Sequence, residues 1–326
     1  MSEQRPASAI DESAVSPLAS ALSPARVARH GLPWLEREVL LGYILLLPAV
    51  LYIVLLVGYP FVLAIWIALT NQTVGLSANS RFVGIENFSW AWESSIFQTA
   101  LRNTILLTIS TEVSKLILGT VLAFLLVQSF KGRALARSLV MIPWAIPIAI
   151  SVIAWRWMFD SQYSVINWVL VHVGLFTNLN KPNYLGDPGL ALWSIAAVNV
   201  WRGLPFSAII VMAGLTAVPQ ELIEAARLDG ANFWHRWNDI IVPFIAPILF
   251  VALLFSVVFT LTDMTVVYLL TGGGPVNSTH VLSSLAFQVG IRSTALSHGA
   301  AISLFLFPVV LIISYWLLRL LQAREV

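Results

Sequence analysis

The feature that most constrains this chain is a set of six apolar runs, each longer than about 20 residues. A helix of about 20 apolar residues crosses the hydrocarbon layer of a bilayer. Helices also satisfy every backbone polar group internally, which lipid requires. The sequence therefore predicts an all-α polytopic membrane protein with six transmembrane helices. The predicted spans are 40–68, 103–128, 139–159, 189–215, 244–270 and 298–322.

Composition supports this prediction. The chain is 58% apolar and 10% charged, whereas a soluble domain carries roughly 25% charged residues. Residues 1–39 are rich in alanine, serine and proline, a composition that cannot bury enough apolar surface to fold, so we expect a disordered tail. The apolar segment 166–176 is too short to span a bilayer and favours a helix at the membrane surface.

The direction of the spans follows from the distribution of basic residues, which are retained on the cytoplasmic side. With the N-terminus inside, the inner segments hold eleven basic residues and the outer segments hold four. The sequence therefore predicts that both termini and the loop 216–243 are cytoplasmic. The four outer residues are Arg81, Arg102, Lys181 and Arg292.

The loop 216–243 is unusually polar for this chain. Pro219 suits a helix start and Gly230 suits a left-handed helix end, so 219–229 is predicted to form three helical turns. Asn232 can begin a second short helix, and Pro243 then returns the chain to the membrane. This helix-turn-helix has two interpretations, an amphipathic surface that caps the bundle or a docking surface in which two small alanines allow close approach.

A resemblance to a known family favours the docking surface. Glu-Ala-Ala, three residues, Gly, nine residues and Ile-x-Val-Pro resembles the signature loop of the membrane-spanning subunits of binding-protein-dependent ABC importers. Val242 stands where leucine is commoner. The resemblance implies a coupling helix that docks on a separate ATPase. Its residues would be Glu224, Ala225, Ala226, Asp229, Gly230, Ile240 and Pro243.

Other segments extend the resemblance over residues 40–320. They are FVGIENF, LRNT, IPWAIP, YLGDPGLALW, LTGGGPVNST and GAAIS, and they are similar to the carbohydrate-uptake branch, most closely to the first of its two permeases. The resemblance implies a bacterial inner-membrane permease with a second homologous permease, two ATPases and an extracytoplasmic sugar-binding protein as partners. Trehalose, a maltose-like sugar or a glycerol phosphate ester are the candidate solutes.

The chain shows no signal for chemistry of its own. No G-x-x-x-x-G-K-[ST] motif occurs, so ATP and Mg²⁺ are expected on the partner ATPase. The histidines never fall at i, i+4, and cysteine is absent, so no metal site is predicted. Neither a catalytic set of residues nor a nucleic-acid-binding pattern is present. The sequence predicts a permease subunit that is not an enzyme.

Several polar residues fall within the predicted spans, where ionisable groups usually face a cavity or a partner. Glu112 can pair with Lys115 one helical turn away. A solute pathway is predicted to involve Asn199, Trp201, Arg202 and Asp263. Hydrogen bonds between helices are the alternative explanation for each of these residues.

Three other functions are the alternatives to this permease function. A secondary transporter would carry two internally similar halves, and we find no such repeat. The polar spans would also suit a structural membrane subunit. An integral-membrane enzyme would need convergent acid, base or metal-binding residues, which the sequence does not offer.

Overall fold

The computed structural model of the chain describes residues 38–75 and 80–322. The predicted tail at 1–39 lies outside the described residues except for its last two positions. Every regular element within the described residues is helical, and the sole β-type pairing there is an isolated antiparallel bridge between Thr70 and Phe82. The predicted all-α fold is confirmed.

The described residues belong to two compact units, divided after Pro60. The first contains α1 (Glu38–Ile53) and a π-helical turn (Val54–Gly58), and α2 (Tyr59–Ala68) begins at its end. The second contains α3 (Glu86–Glu93), α4 (Ser95–Val127), α5 (Arg133–Val140), α6 (Ile142–Ala145), α7 (Ile148–Met158), α8 (Val165–His172), α9 (Pro188–Ala217), α10 (Gln220–Leu228), α11 (Phe233–His235), α12 (Val242–Thr262), α13 (Thr265–Leu270), α14 (Leu282–Phe287), α15 (Leu296–Leu304) and α16 (Leu306–Gln322).

Five helical stretches within the described residues are long and apolar enough to cross a membrane. They run over Leu40–Ala68, Ser95–Val127, Pro188–Ala217, Phe233–Leu270 and Leu296–Leu320. A sixth span requires the bent pair Arg133–Ala145 and Ile148–Met158 to be counted as one. The predicted number of spans is therefore reached only with this broken helix.

The predicted span at 139–159 contains a break, because the chain bends by 91° there. The cause is Pro147, which disfavours helical geometry in the residue before it. Ile146 accordingly adopts extended angles of φ −74° and ψ 134°, which end α6. Pro147 then forms the N-cap of α7.

The fifth span also differs from its prediction. The apolar helix begins at Phe233 rather than 244 and passes Pro243 without interruption. A π-helical turn over Arg236–Ile241 precedes this proline, and such local adjustments accommodate prolines in membrane helices. The second helix of the predicted helix-turn-helix is thus the beginning of the fifth span.

Buried hydrogen bonds join the first half of α4 to the loop before α14. The Asn103 side chain donates to the backbone carbonyls of Ser278 and His280 at 2.7 and 3.0 Å. The backbone N–H of Leu282 donates to the Thr104 hydroxyl at 2.9 Å. The LRNT segment therefore holds the loop that follows LTGGGP.

The His280 ring is buried against Gly273 in this loop, and burial lowers the pKa of His280, so the ring is neutral near pH 7. A Cβ on Gly273 would overlap the His280 ring, whereas the nearest atom to a Cβ on Gly272 is 3.9 Å away. Both glycines have positive φ, at +90° and +63°. A side chain at either position would be strained by the backbone, but only at Gly273 would it also lack room.

We expect Gly273→Ala to lower the thermal stability of the detergent-purified protein more than Gly272→Ala does. Both changes carry a cost of about 1 kcal/mol for the left-handed backbone, and overpacking adds roughly 1–3 kcal/mol at Gly273 alone. The difference is measured by heating each variant over a range of temperatures and quantifying the remaining folded protein by size exclusion. Equal losses in the two variants would contradict the close packing of the His280 ring.

Candidate functional site: a polar cavity and a polar loop

A cavity of about 530 Å³ lies between the helices of the second unit, within the size range of small-molecule sites. Residues from α4, α6, α7, α9, α12 and α13 contribute to its lining. Two helix breaks border it, since Trp144 and Ile148 flank the bend before α7 and Asp263 follows Thr262, where α12 ends. The breaks therefore bring backbone ends and polar side chains to one place.

Arg202 and Asp263 form an ion pair at the cavity, with Arg202 Nη1 to Asp263 Oδ2 at 2.9 Å. Their side chains are 38% and 22% exposed. The helix ends at Thr262, so Asp263 takes extended angles and its Oδ1 accepts the backbone N–H of Thr265 at 2.7 Å. Both carboxylate oxygens of Asp263 are thus engaged.

A second ion pair lies behind the first. Lys115 pairs with Glu112 on α4, and both side chains are buried. Lys115 Nζ also donates to the hydroxyls of Ser256 at 3.0 Å and Thr260 at 3.1 Å. Since an ammonium has three donors, these three acceptors saturate it. The pair links α4 to α12.

Small residues make this arrangement possible. A Cβ on Gly203 would lie 2.5 Å from Lys115 Cδ, so glycine leaves the space that the lysine stem occupies. The Ser207 hydroxyl donates to the Lys115 carbonyl at 3.0 Å, and Gly119 faces that serine. Helices α4 and α9 therefore approach closely where Lys115 and Gly119 face Gly203 and Ser207.

Three of the four residues predicted for the pathway lie at the cavity, namely Asn199, Arg202 and Asp263. Trp201 is not among the described lining residues, and its ring packs edge-to-face on Trp155 at 5.5 Å. The aromatic residues at the lining are Trp144, Phe206 and Phe259. Sequence reasoning missed these three, although Trp144 stands in the quoted IPWAIP segment.

The loop predicted at 216–243 has the expected helix ending. Gly230 adopts φ +82°. Its N–H donates to the Arg227 carbonyl at 3.1 Å and that of Ala231 to the Ala226 carbonyl at 2.8 Å, which together form a Schellman motif. The Asn232 side chain then accepts the His235 N–H at 3.0 Å, as predicted for a helix start.

The two alanines of the loop do not form one flat exposed surface as predicted. Ala226 is buried within the chain, while Ala225 is exposed. The exposed positions around it include Glu224, Asp229 and Gly230. Residues four apart share a helix face, so neighbouring alanines necessarily point in different directions.

Aromatic contacts fasten this loop to the nearby end of α4. The Phe124 ring lies 6.0 Å from that of Phe233 and 5.1 Å from that of Trp237. Arg137 donates two hydrogen bonds to the Leu126 carbonyl at the end of the same helix. The loop is therefore packed directly against α4, the helix that carries Glu112 and Lys115.

No group of His, Cys, Asp or Glu suited to a metal ion occurs among residues 38–75 and 80–322. The cavity is instead a hydrogen-bonding and aromatic site. Its charged groups are paired with one another, and its neutral groups are the Asn199 amide and several hydroxyls. Such a lining suits a polar organic solute that is not bound to a metal ion.

Comparison with known proteins decides the family. Residues 115–325 match the family described as "Binding-protein-dependent transport system inner membrane component". The chain belongs to this family. In this family ATP hydrolysis is carried out by a separate ATPase subunit, so this ABC importer permease is not itself an enzyme. Membership excludes the secondary transporter.

The similarity to individual relatives extends over nearly the whole length of this permease. The trehalose/maltose transport system permease protein of Thermococcus litoralis is 33% identical, over 88% of this permease and 95% of its own length. The sulfoquinovosyl glycerol transport system permease protein of Agrobacterium fabrum is 29% identical, over 90% and 94%. A crystal structure of a bacterial ABC transporter that imports alginate has a chain with the same fold, with a TM-score of 0.73 at 22% identity, covering 89% of this permease and 97% of that chain.

We expect Lys115→Met to destabilise the permease strongly, by roughly 3–5 kcal/mol, because it leaves Glu112 buried without its cation. The double variant Glu112→Gln, Lys115→Met should recover most of that loss, since it removes both charges. Thermal melting of the purified variants measures both effects. Equal instability of the single and double variants would show that the ion pair does not hold α4 to α12.

Proposed function

We propose that this permease forms half of the pathway of a sugar importer, with the cavity around Arg202 and Asp263 as its solute site. The observation that carries this proposal is the lining, where hydrogen-bonding groups lie beside Trp144, Phe206 and Phe259. Sugars are held by hydrogen bonds to hydroxyls and by aromatic contact with C–H surfaces. A trehalose- or maltose-like disaccharide is the proposed solute, in keeping with the name of a relative.

The proposed assembly contains a second homologous permease, two ATPases that use ATP and Mg²⁺, and an extracytoplasmic sugar-binding protein. One structural neighbour is described as an alginate transporter in complex with an alginate pentasaccharide-bound periplasmic protein, which supports the last of these partners. The second permease would complete the wall of the pathway. No nucleic acid takes part.

The loop 216–243 is proposed to dock on the ATPase through Glu224, Ala225, Asp229 and Gly230, which are all exposed. The other predicted residues would stabilise the conformation of the loop without contacting the ATPase, and they are Ala226, Ile240 and Pro243. Motion of the loop would pass through the Phe124 contacts into α4, and also directly into the fifth span, with which the loop is continuous. Both routes reach the cavity.

The proposed orientation places both termini and this loop in the cytoplasm of a bacterial cell, with the protein in the inner membrane. The support is the excess of basic residues in the inner segments. Two of these, Lys131 and Arg133, lie in the short connection before α5 and at its start.

In a chain without cysteine, orientation is directly testable. A cysteine at Ser80 should react with a membrane-impermeant maleimide in intact cells with a permeabilised outer membrane, and one at Lys131 should react only after lysis. Both positions are exposed. Labelling in the opposite order would invert the topology and remove the coupling assignment.

The docking proposal predicts that Gly230→Trp abolishes coupling while membrane insertion stays intact, because the side chain would stand on the docking surface. Gly132→Trp is the matched control, since both glycines have positive φ, of +82° and +88°, and open space around them. Sugar uptake and ATPase co-purification are measured together. Normal uptake in Gly230→Trp, or equal losses in both variants, would refute the assignment.

The cavity proposal predicts that Asp263→Ala lowers uptake per assembled complex by about ten- to a hundredfold, because it removes the charged hydrogen-bond partner that holds Arg202 at the cavity, and loss of such a bond costs roughly 1.5–3 kcal/mol. The sugar affinity of the isolated binding protein should stay unchanged. Glu93→Ala, an exposed carboxylate outside the lining, is the control. Unchanged uptake per complex would assign Asp263 a structural role instead.

A further inference from the structure

We propose that the cavity selects an uncharged solute, because each cation at its lining is neutralised by a carboxylate of the same chain. This inference rests on the proposed sugar pathway and adds the charge class of the sugar. The charged side chains at the described lining are Lys115, Arg202 and Asp263, and Glu112 pairs with Lys115 directly behind it. Two cations therefore face two carboxylates.

Lys115 has no donor left for a solute. Its ammonium is shared among Glu112, Ser256 and Thr260, and its stem is seated against Gly203. It therefore supports the wall of the cavity without offering a free charge. An anionic sugar approaching Lys115 would have to break a buried ion pair, which is strongly unfavourable.

Arg202 differs from Lys115, because its charge is neutralised while some of its N–H donors can still reach a solute. Among the described residues its guanidinium makes one ion pair, from Nη1 to Asp263, and a guanidinium carries five N–H donors in total. The side chain is also more than a third exposed. Arg202 can thus donate to solute hydroxyls while Asp263 cancels its charge.

The position of Asp263 keeps this compensation in place. Its second oxygen is held by the Thr265 N–H at the break between α12 and α13, so the carboxylate does not turn away from Arg202 without losing that bond. An anionic solute would compete with Asp263 for Arg202 and would face its negative charge. The lining that this chain contributes therefore disfavours anions.

Solute charge is tested on the purified importer with its partner subunits but without the binding protein, so that selection by that protein does not enter. The probes are trehalose and a trehalose derivative in which one primary hydroxyl group is oxidised to a carboxylate. Saturation-transfer difference NMR titrations give the apparent affinity for each, and their ratio is the readout. The wild-type importer should favour trehalose about tenfold, as expected for one unit charge in partly aqueous surroundings.

Asp263→Asn should shift this ratio by about tenfold toward the carboxylate, because it leaves Arg202 uncompensated. Arg202→Gln should shift it about as far in the other direction, and it serves as the test if Asp263→Asn fails to assemble. The double variant should return to the wild-type ratio. Glu93→Gln, a carboxylate outside the cavity, should leave the ratio unchanged.

The outcomes separate the two proposals. A ratio near one in the wild type, or one that neither Asp263→Asn nor Arg202→Gln moves, overturns the inference while leaving the sugar pathway in place. The absence of any signal from both probes in the wild type and in all variants overturns the proposed sugar cavity and this inference with it. A shift in the predicted directions supports both.

Discussion

The structure depends on how charge is accommodated among apolar helices. An unpaired charge in a bilayer is energetically unfavourable. Within the described residues this chain forms two ion pairs, Lys115 with Glu112 and Arg202 with Asp263. The first is buried and saturated, and the second borders open space. The same chemistry therefore serves packing at one position and, as we propose, solute recognition at the other.

Helix breaks and small residues arrange these pairs. The helix ending at Thr262 frees Asp263 to turn toward Arg202, and the bend before Pro147 places Trp144 at the same cavity. Gly203 makes room for the stem of Lys115. A regular bundle of straight helices would offer neither the cavity nor the polar groups that line it. Irregular backbone at membrane depth is tolerated because it lines a cavity.

The sequence predicted the features that depend on local chemistry. The apolar runs located the spans, Gly230 and Asn232 located the turn of the loop, and the spacing of Glu112 and Lys115 predicted their pair. Trp201 shows the limit, because its position beside Arg202 does not reveal that its ring faces Trp155. The 91° bend was missed although Pro147 was visible, since a proline inside an apolar run is compatible with a kinked or a broken helix. Which face of a helix meets the cavity is decided by packing against other helices.

Solvent access to the cavity is the most direct test of the account, and the absence of cysteine makes it practicable. Thr262→Cys lies at the lining, whereas Val251→Cys is exposed on the same helix away from it. Reaction with a small water-soluble thiosulfonate is measured on the assembled importer with and without trehalose or maltose. Reaction is expected at position 262, where either sugar should slow it, and little reaction is expected at position 251. Equal reaction at both positions, or no protection at 262, would contradict a sugar pathway through this cavity.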